Sequence, residues 1–227
     1  MQTNSTSSPS IELSVLRWAP PIVQGLVRDL RVRWALEEAG LPYREHVVSQ
    51  QDQASASYRA LQPFGQVPAL RSDELTLFES GAIVLHIAEQ STALMPQEPS
   101  ARAQVKAWIF GALNSVEPPI WMFNILDMLY GGPKGDDYKA LVAYVVAFVE
   151  MRLDTLVTLL AGKDYILGGF TAADVLLTTV LRILRDTDLV TKRPALAAYQ
   201  QRCEARPAFQ KALADHMASF AKHAPAS

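Results

Sequence analysis

Hydrophobic positions in the first part of the chain follow a strand pattern, then a helix pattern, then a strand pattern again. Residues 11–18 are mainly apolar and rich in strand-forming side chains, which indicates a strand. Residues 26–39 have apolar side chains at close to helical spacing, and Gly40 ends that pattern as glycine commonly ends helices. Residues 43–48 predict a second strand. Because a strand-helix-strand connection normally joins parallel strands, these two strands should be parallel.

The following segments complete a compact first domain. A short helix is predicted over residues 55–61, and two strands over residues 67–71 and 75–78 should form a hairpin around a polar turn. A helix over residues 80–90 follows, with its apolar side chains on one face. The order strand, helix, strand, helix, strand, strand, helix predicts an α/β domain over residues 11–90.

The rest of the chain shows only helical patterns. Residues 91–99 contain two prolines and no periodicity, which indicates a linker. Residues 100–227 should form an all-helical second domain, in which Pro118-Pro119 should kink or break the helical pattern. Thr171 and Asp174 form a capping-box pattern, which we interpret as the start of a buried helix. The helices of this domain are predicted over residues 101–114, 120–130, 136–160, 171–185, 194–203 and 207–220.

Composition narrows the class of protein. Of 227 residues, 49% are hydrophobic and 19% charged, which is enough apolar surface for a sizeable core. A net charge of -2 gives no basic surface for nucleic acid. The chain has no apolar run of about 18 residues, as a membrane span requires. Residues 1–10 are polar and rich in Ser and Thr, which predicts a disordered tail and not a secretion signal.

Cysteine and histidine usage adds two expectations. Cys203 is the single cysteine, which excludes an internal disulfide and suits a reducing compartment, so we expect a cytoplasmic protein. The four histidines are scattered without metal-ligand spacing, and no metal site is expected.

The segment from residue 64 to residue 80 is the strongest candidate binding site. Pro68 directly follows Val67 at the predicted start of a strand, an arrangement that suits a cis peptide bond. The backbone N–H and C=O of Val67 would then face outward and could pair with a peptide-like ligand. Glu79-Ser80 opens the next helix, where backbone N–H groups point at anions. A strand edge, a carboxylate and a helix N-terminus together suit a small zwitterionic peptide.

These motifs, in this order, resemble the cytosolic glutathione transferases, and the resemblance covers residues 11–220. Residues 35–43 also look like the family's first helix and second strand. The resemblance implies a thioredoxin-like α/β domain followed by an all-helical domain, the glutathione transferase fold with a cis-proline. It implies glutathione as cosubstrate, an acceptor pocket walled by the helical domain, and a homodimer.

The resemblance also assigns roles to the candidate binding segment. Val67 would pair its backbone with the cysteinyl part of glutathione, and Pro68 would hold that geometry. Glu79 would bind the γ-glutamyl ammonium, and Ser80 the γ-glutamyl carboxylate. Gln66 would lie close by. Each protein group has a charge or partial charge opposite to that of its partner in glutathione.

The residues that should activate the glutathione thiol depart from the family pattern. The family, including its bacterial members, places a Tyr, Ser or Cys after the first strand, but residues 18–29 contain none of these and no Thr. Arg28 lies about where bacterial cysteine-type enzymes have their cysteine and could stabilise a thiolate by its charge. Alternatively, Gln24 or a backbone N–H acts, or the site binds glutathione without activating it.

The sequence therefore predicts a glutathione transferase in which bound thiolate attacks a small electrophilic, apolar acceptor. Two alternatives stay open: a non-catalytic scaffold or binding protein of the same fold, and a glutathione-dependent peroxidase or thiol-disulfide oxidoreductase. The candidate acceptor pocket combines residues near the first strand with residues around the proline break: Trp18, Gln24, Asn114, Glu117, Trp121 and Met122.

Overall fold

A computed structural model describes residues 11–73, 75–130 and 132–225. Its contacts divide these residues into two compact units. The first unit comprises residues 11–90 and 208–225, and the second comprises residues 91–207. The predicted tail over residues 1–10 lies outside the described residues.

The first unit is built on a four-stranded mixed sheet with the strand order β2-β1-β3-β4. Strands β1 (Ile11–Leu16) and β2 (Tyr43–Val48) are parallel, with Ile11 opposite Tyr43, so the predicted parallel pairing is confirmed. Strands β3 (Ala69–Arg71) and β4 (Thr76–Phe78) form the predicted antiparallel hairpin.

Helix α1 (Asp29–Ala39) connects the two parallel strands. It begins three residues later than predicted, because residues 26–28 still belong to the loop that follows a 3₁₀ turn at residues 21–23. Gly40 ends it in the left-handed conformation, with φ of 67°. Glycine adopts this conformation without the steric penalty that a Cβ imposes.

The helix predicted over residues 55–61 is present as the shorter α3 (Ala56–Arg59). A further short helix, α2 (Gln50–Ala54), precedes it and was not predicted. The Ser49 side chain caps α2, and the Ser55 side chain accepts a hydrogen bond from the Tyr58 N–H at the start of α3. Ser55 itself is extended, so the two helices remain separate. Helix α4 (Ser80–Glu89) follows the hairpin.

The last helix, α10 (Pro207–Lys222), belongs almost entirely to the first unit, although the sequence placed it in the helical domain. It packs on α1, where Phe209 meets the Trp34 ring edge-on at 4.8 Å between ring centroids. Because α10 covers α1, residues 29–36 are all buried, including the charged side chains among them. The periodic pattern of α10 identifies an apolar face but does not reveal which unit that face contacts.

The second unit consists of helices over its described residues. Helix α5 (Pro99–Gly111) continues through a π-helical segment into α6 (Glu117–Asn124), and a second π-helical segment extends to Leu129. The predicted interruption at Pro118-Pro119 is therefore a change of helical pitch and not a break. The π-helical segment lies directly before these prolines, and a proline inside a continuous helix is a usual cause of such a local change.

Three further helices complete this unit: α7 (Asp136–Leu160), α8 (Ala172–Leu181) and α9 (Pro194–Glu204). Every residue of α8 is buried, so it forms the centre of the unit. The predicted capping box of Thr171 and Asp174 is present at its start. Among the described residues, no helix has the combination of length and apolarity needed to cross a bilayer.

Candidate functional site

The loop before β3 exposes a short stretch of backbone. The Val67–Pro68 peptide bond is cis, Pro68 is buried, and Gln66 is exposed. Within the described part of the chain, neither the N–H nor the C=O of Val67 has a hydrogen-bond partner. A peptide-like ligand could therefore pair with Val67 on both sides without displacing an existing bond.

The start of α4 lies in the same unit and has two unusual features. Glu79 is exposed and has φ of 68°, in the left-handed region that residues other than glycine rarely occupy. Such conformations concentrate at ligand sites, where the surrounding structure enforces them. Ser80 is the first residue of α4 and is buried.

A buried cation lies beside this helix start. The Arg31 side chain is 4% exposed, and its guanidinium donates a hydrogen bond to Ser80 Oγ over 3.3 Å. A guanidinium and a helix N-terminus both favour an anion. Arg31 is not among the site residues predicted from the sequence. The available signal was a charged residue directly between Leu30 and Val32.

The loop between β1 and α1 is held by hydrogen bonds of its own. Gln24 is half-buried, and its amide nitrogen donates to the carbonyl of Ala19 over 2.8 Å. Arg28 is half-buried and occupies the N-terminal cap position of α1 without a capping hydrogen bond from its side chain. Gly25 has φ of 78°, and its N–H donates to His216 Nε2 over 3.2 Å.

His216 connects this loop to a buried charge cluster. Because the Gly25 N–H can only donate, Nε2 accepts, and Nδ1 donates to Asp29 Oδ2 over 3.0 Å. Arg33 Nε donates to the same oxygen over 2.7 Å, and Arg33 also pairs with Glu45 Oε1 at 2.6 Å. Burial raises the pKa of Asp29, but the hydrogen bonds from His216 and Arg33 and the positive charge of Arg33 outweigh it, so its pKa lies below its ordinary value.

The candidate acceptor residues lie in both units. Trp18 and Gln24 line one groove of the first unit, together with Met217 and Ala221 near the end of α10. The remaining four candidates belong to the second unit: Asn114, Trp121 and Met122 are exposed, and Glu117 is buried. Across the described residues, no cluster of three or more His, Cys, Asp or Glu side chains could hold a metal ion.

Comparison with known proteins gives the family. Residues 30–90 match the family description "Glutathione S-transferase, N-terminal domain", and residues 125–207 match "Glutathione S-transferase, C-terminal domain". Glutathione S-transferase 4 of Zea mays is 30% identical over 190 residues, which cover 80% of this chain and 85% of that protein. Glutathione S-transferase 3 of Zea mays is 32% identical over 200 residues, covering 82% and 88%.

A solved structure agrees with these matches. It is a glutathione transferase family member from Pseudomonas fluorescens pf-5 with two glutathione bound, and its TM-score to this chain is 0.78 at 26% identity. The alignment covers 92% of this chain and 95% of that one. The chain belongs to the glutathione S-transferase family and is a glutathione S-transferase-like enzyme, and the predicted fold is confirmed.

Proposed function

We propose that the first unit binds glutathione along Val67 and α4, and that the enzyme joins bound glutathione, through its sulfur, to a small apolar electrophile. The observation that supports this most directly is the backbone of Val67, which has no partner among the residues that the structure describes, in the same unit as the strained Glu79 and the anion-favouring start of α4. Relatives with glutathione bound, such as the Pseudomonas fluorescens protein, support the same ligand.

Each part of glutathione has a complementary partner in this proposal. The Val67 N–H and C=O pair with the cysteinyl backbone, with Gln66 and Pro68 beside them. The γ-glutamyl ammonium binds the exposed Glu79 carboxylate. The γ-glutamyl carboxylate binds the Ser80 hydroxyl and the N–H groups of the first turn of α4, with the Arg31 guanidinium adding positive charge.

Arg28 is the side chain that best suits thiolate stabilisation. It is a cation at the N-terminal cap position of α1, and the backbone N–H groups of a helix start favour an anion at the same place. Both would stabilise a thiolate there. Gln24 is the weaker alternative, because its amide already donates within the loop. The thiol proton leaves to solvent, and the thiolate sulfur forms a bond to the acceptor carbon while the leaving group departs with its electron pair.

The acceptor, the homodimer and the cytoplasmic location remain predictions. We propose that Trp18 and Gln24 contact the acceptor from the first unit. Asn114, Glu117, Trp121 and Met122 are proposed to contact it from the second.

Glutathione should raise the melting temperature of the protein, and Glu79→Ala should remove most of that rise. Glutathione at 100 times its dissociation constant stabilises the folded state by about 2.7 kcal/mol, which shifts the melting temperature by several degrees in a chain of this size. Glu89→Ala is the matched control, since Glu89 is an exposed carboxylate at the other end of α4. The absence of any shift with the unaltered protein at millimolar glutathione would contradict glutathione binding.

Arg28→Ala should lower the thiolate fraction of bound glutathione near neutral pH by up to about tenfold, which corresponds to a rise of one unit in the thiol pKa. Ultraviolet thiolate absorbance measures this fraction directly. Arg17→Ala serves as the control, because Arg17 is exposed just after β1. If the thiolate fraction is the same in Arg28→Ala and the unaltered protein, Arg28 is not the activating residue.

One observation favours a non-catalytic glutathione-binding protein as the second candidate. No Tyr, Ser, Thr or Cys occurs in residues 18–29, where the resemblance places the activating side chain. In that case glutathione raises the melting temperature but shows no thiolate absorbance near neutral pH.

A further inference from the structure

Two buried hydroxyl groups lie behind the Val67–Pro68 bond. Ser14 of β1 and Tyr58 of α3 are each 3% exposed, and their oxygens are 2.8 Å apart. Ser14 Oγ accepts a hydrogen bond from the Ala69 N–H over 2.6 Å, and the Tyr58 hydroxyl donates to the Gln66 carbonyl over 2.7 Å. Neither hydroxyl belongs to the candidate site as predicted from the sequence.

The donor and the acceptor of each of these three hydrogen bonds can be assigned. A backbone N–H only donates and a carbonyl only accepts, so the Tyr58 proton goes to Gln66 and the Ser14 proton goes to Tyr58. Burial raises the pKa of Tyr58 above its ordinary value, with a partly opposing effect of the Ser14 hydrogen bond, so the phenol keeps its proton at neutral pH. The resulting relay runs from the Ala69 N–H to the Gln66 carbonyl through two side chains.

The relay replaces sheet pairing at this point. Strands β1 and β3 pair Glu12 with Arg71 and Leu13 with Leu70, and Ser14 would be next, opposite Ala69. Here the Ser14 side chain takes the Ala69 N–H. The sheet ladder therefore ends where the relay begins.

The two ends of the relay lie on the residues that flank Val67 and Pro68. Both flanking backbone groups are satisfied from inside the unit, whereas the backbone of Val67 has no partner among the described residues. The two buried hydroxyl groups thus hold the loop on its inner side, while the backbone of Val67 can still pair with a ligand.

We propose that Ser14 and Tyr58 are positioning residues that set the backbone of Val67 for pairing with glutathione. This inference rests on the proposed function, because it assumes that glutathione is the ligand at Val67. Neither hydroxyl needs to contact glutathione, since both act through the backbone of Gln66 and Ala69.

The test is a double-mutant cycle on glutathione affinity. Tyr58→Phe removes the hydroxyl that donates to the Gln66 carbonyl. Ser14→Ala removes the hydroxyl that accepts from the Ala69 N–H. Each should raise the dissociation constant for glutathione about five- to tenfold. Because either change breaks the same relay, the double variant should bind about as weakly as the single variants.

Two controls separate positioning from loss of stability. Tyr144→Phe makes the same chemical change at a tyrosine that is 74% exposed, and it should leave the affinity unchanged. Ile183→Val trims a buried side chain of the second unit and should lower stability with no effect on glutathione affinity. All affinities are measured at a temperature where every variant is folded.

The outcomes distinguish the two proposals. If the unaltered protein does not bind glutathione, the proposed function and this inference both fail. If it binds and Tyr58→Phe binds equally well, only the positioning role is wrong. The positioning role of the relay would also be wrong if the increases in dissociation constant of the two single variants multiply in the double variant, because that result would show that the two hydroxyl groups act independently.

Discussion

Asp29→Asn is expected to lower the free energy of unfolding by about 3–5 kcal/mol, the usual cost of removing one member of a buried ion pair. Asp29 and its two partners, Arg33 and His216, are each 1% exposed. Asparagine keeps an oxygen that can accept their hydrogen bonds but loses the negative charge. The Arg33 guanidinium then has only Glu45 as a counter-charge within this cluster. Urea denaturation measures the loss.

Asp215→Asn provides the matched control, because it makes the same change on the exposed side of α10. Asp215 pairs with Lys211 at 2.7 Å, and both side chains are substantially exposed. This change should cost less than about 1 kcal/mol. If Asp29→Asn costs no more than Asp215→Asn, the buried cluster does not hold α10 on α1.

The pKa of Asp29 determines how the stability loss caused by Asp29→Asn changes with pH. The folded-state pKa of Asp29 lies below its unfolded value of 3.8, so the native state releases this proton more readily than the unfolded state. The resulting stabilisation is fully present above pH 3.8 and disappears as the pH falls through the folded-state pKa. The stability difference between the unaltered protein and Asp29→Asn should therefore narrow below pH 3.8.

Local sequence patterns predicted most elements of the fold, because those patterns depend on neighbouring residues. The parallel pair of β1 and β2 followed from the intervening helix, and α7 has the predicted bounds, Asp136–Leu160. The place of α10 could not be predicted in this way. The local pattern of α1 likewise does not indicate that its charged residues Asp29, Arg31 and Arg33 are buried, because α10, which packs on α1, lies far along the chain.

The candidate site was predictable only where a distinctive local motif marks it. Val67-Pro68 and Glu79-Ser80 are adjacent pairs whose backbone consequences follow from proline geometry and helix termini. The residues behind them are far away in sequence: Ser14 lies 55 residues from Ala69, and Gly25 lies 191 residues from His216. No local pattern links such pairs, since tertiary packing alone brings them together.

Asp174→Asn is expected to destabilise the second unit by about 3–5 kcal/mol, although asparagine has nearly the same shape as aspartate. Asp174 is fully buried, and each of its carboxylate oxygens accepts hydrogen bonds from donors. The N–H of Ile166 and the hydroxyl of Tyr199 donate to Oδ1, and the N–H and hydroxyl of Thr171 donate to Oδ2. An amide NH₂ in place of either oxygen would face two donors, so no rotation of the asparagine side chain satisfies the site.

The chain contains a second capping box of the same chemistry, in which Asp52 accepts from the Ser49 N–H over 2.8 Å at the exposed start of α2. Asp52→Asn should therefore change the urea midpoint much less than Asp174→Asn, because water can replace the lost acceptor. Equal losses in Asp174→Asn and Asp52→Asn would contradict this account of the buried carboxylate.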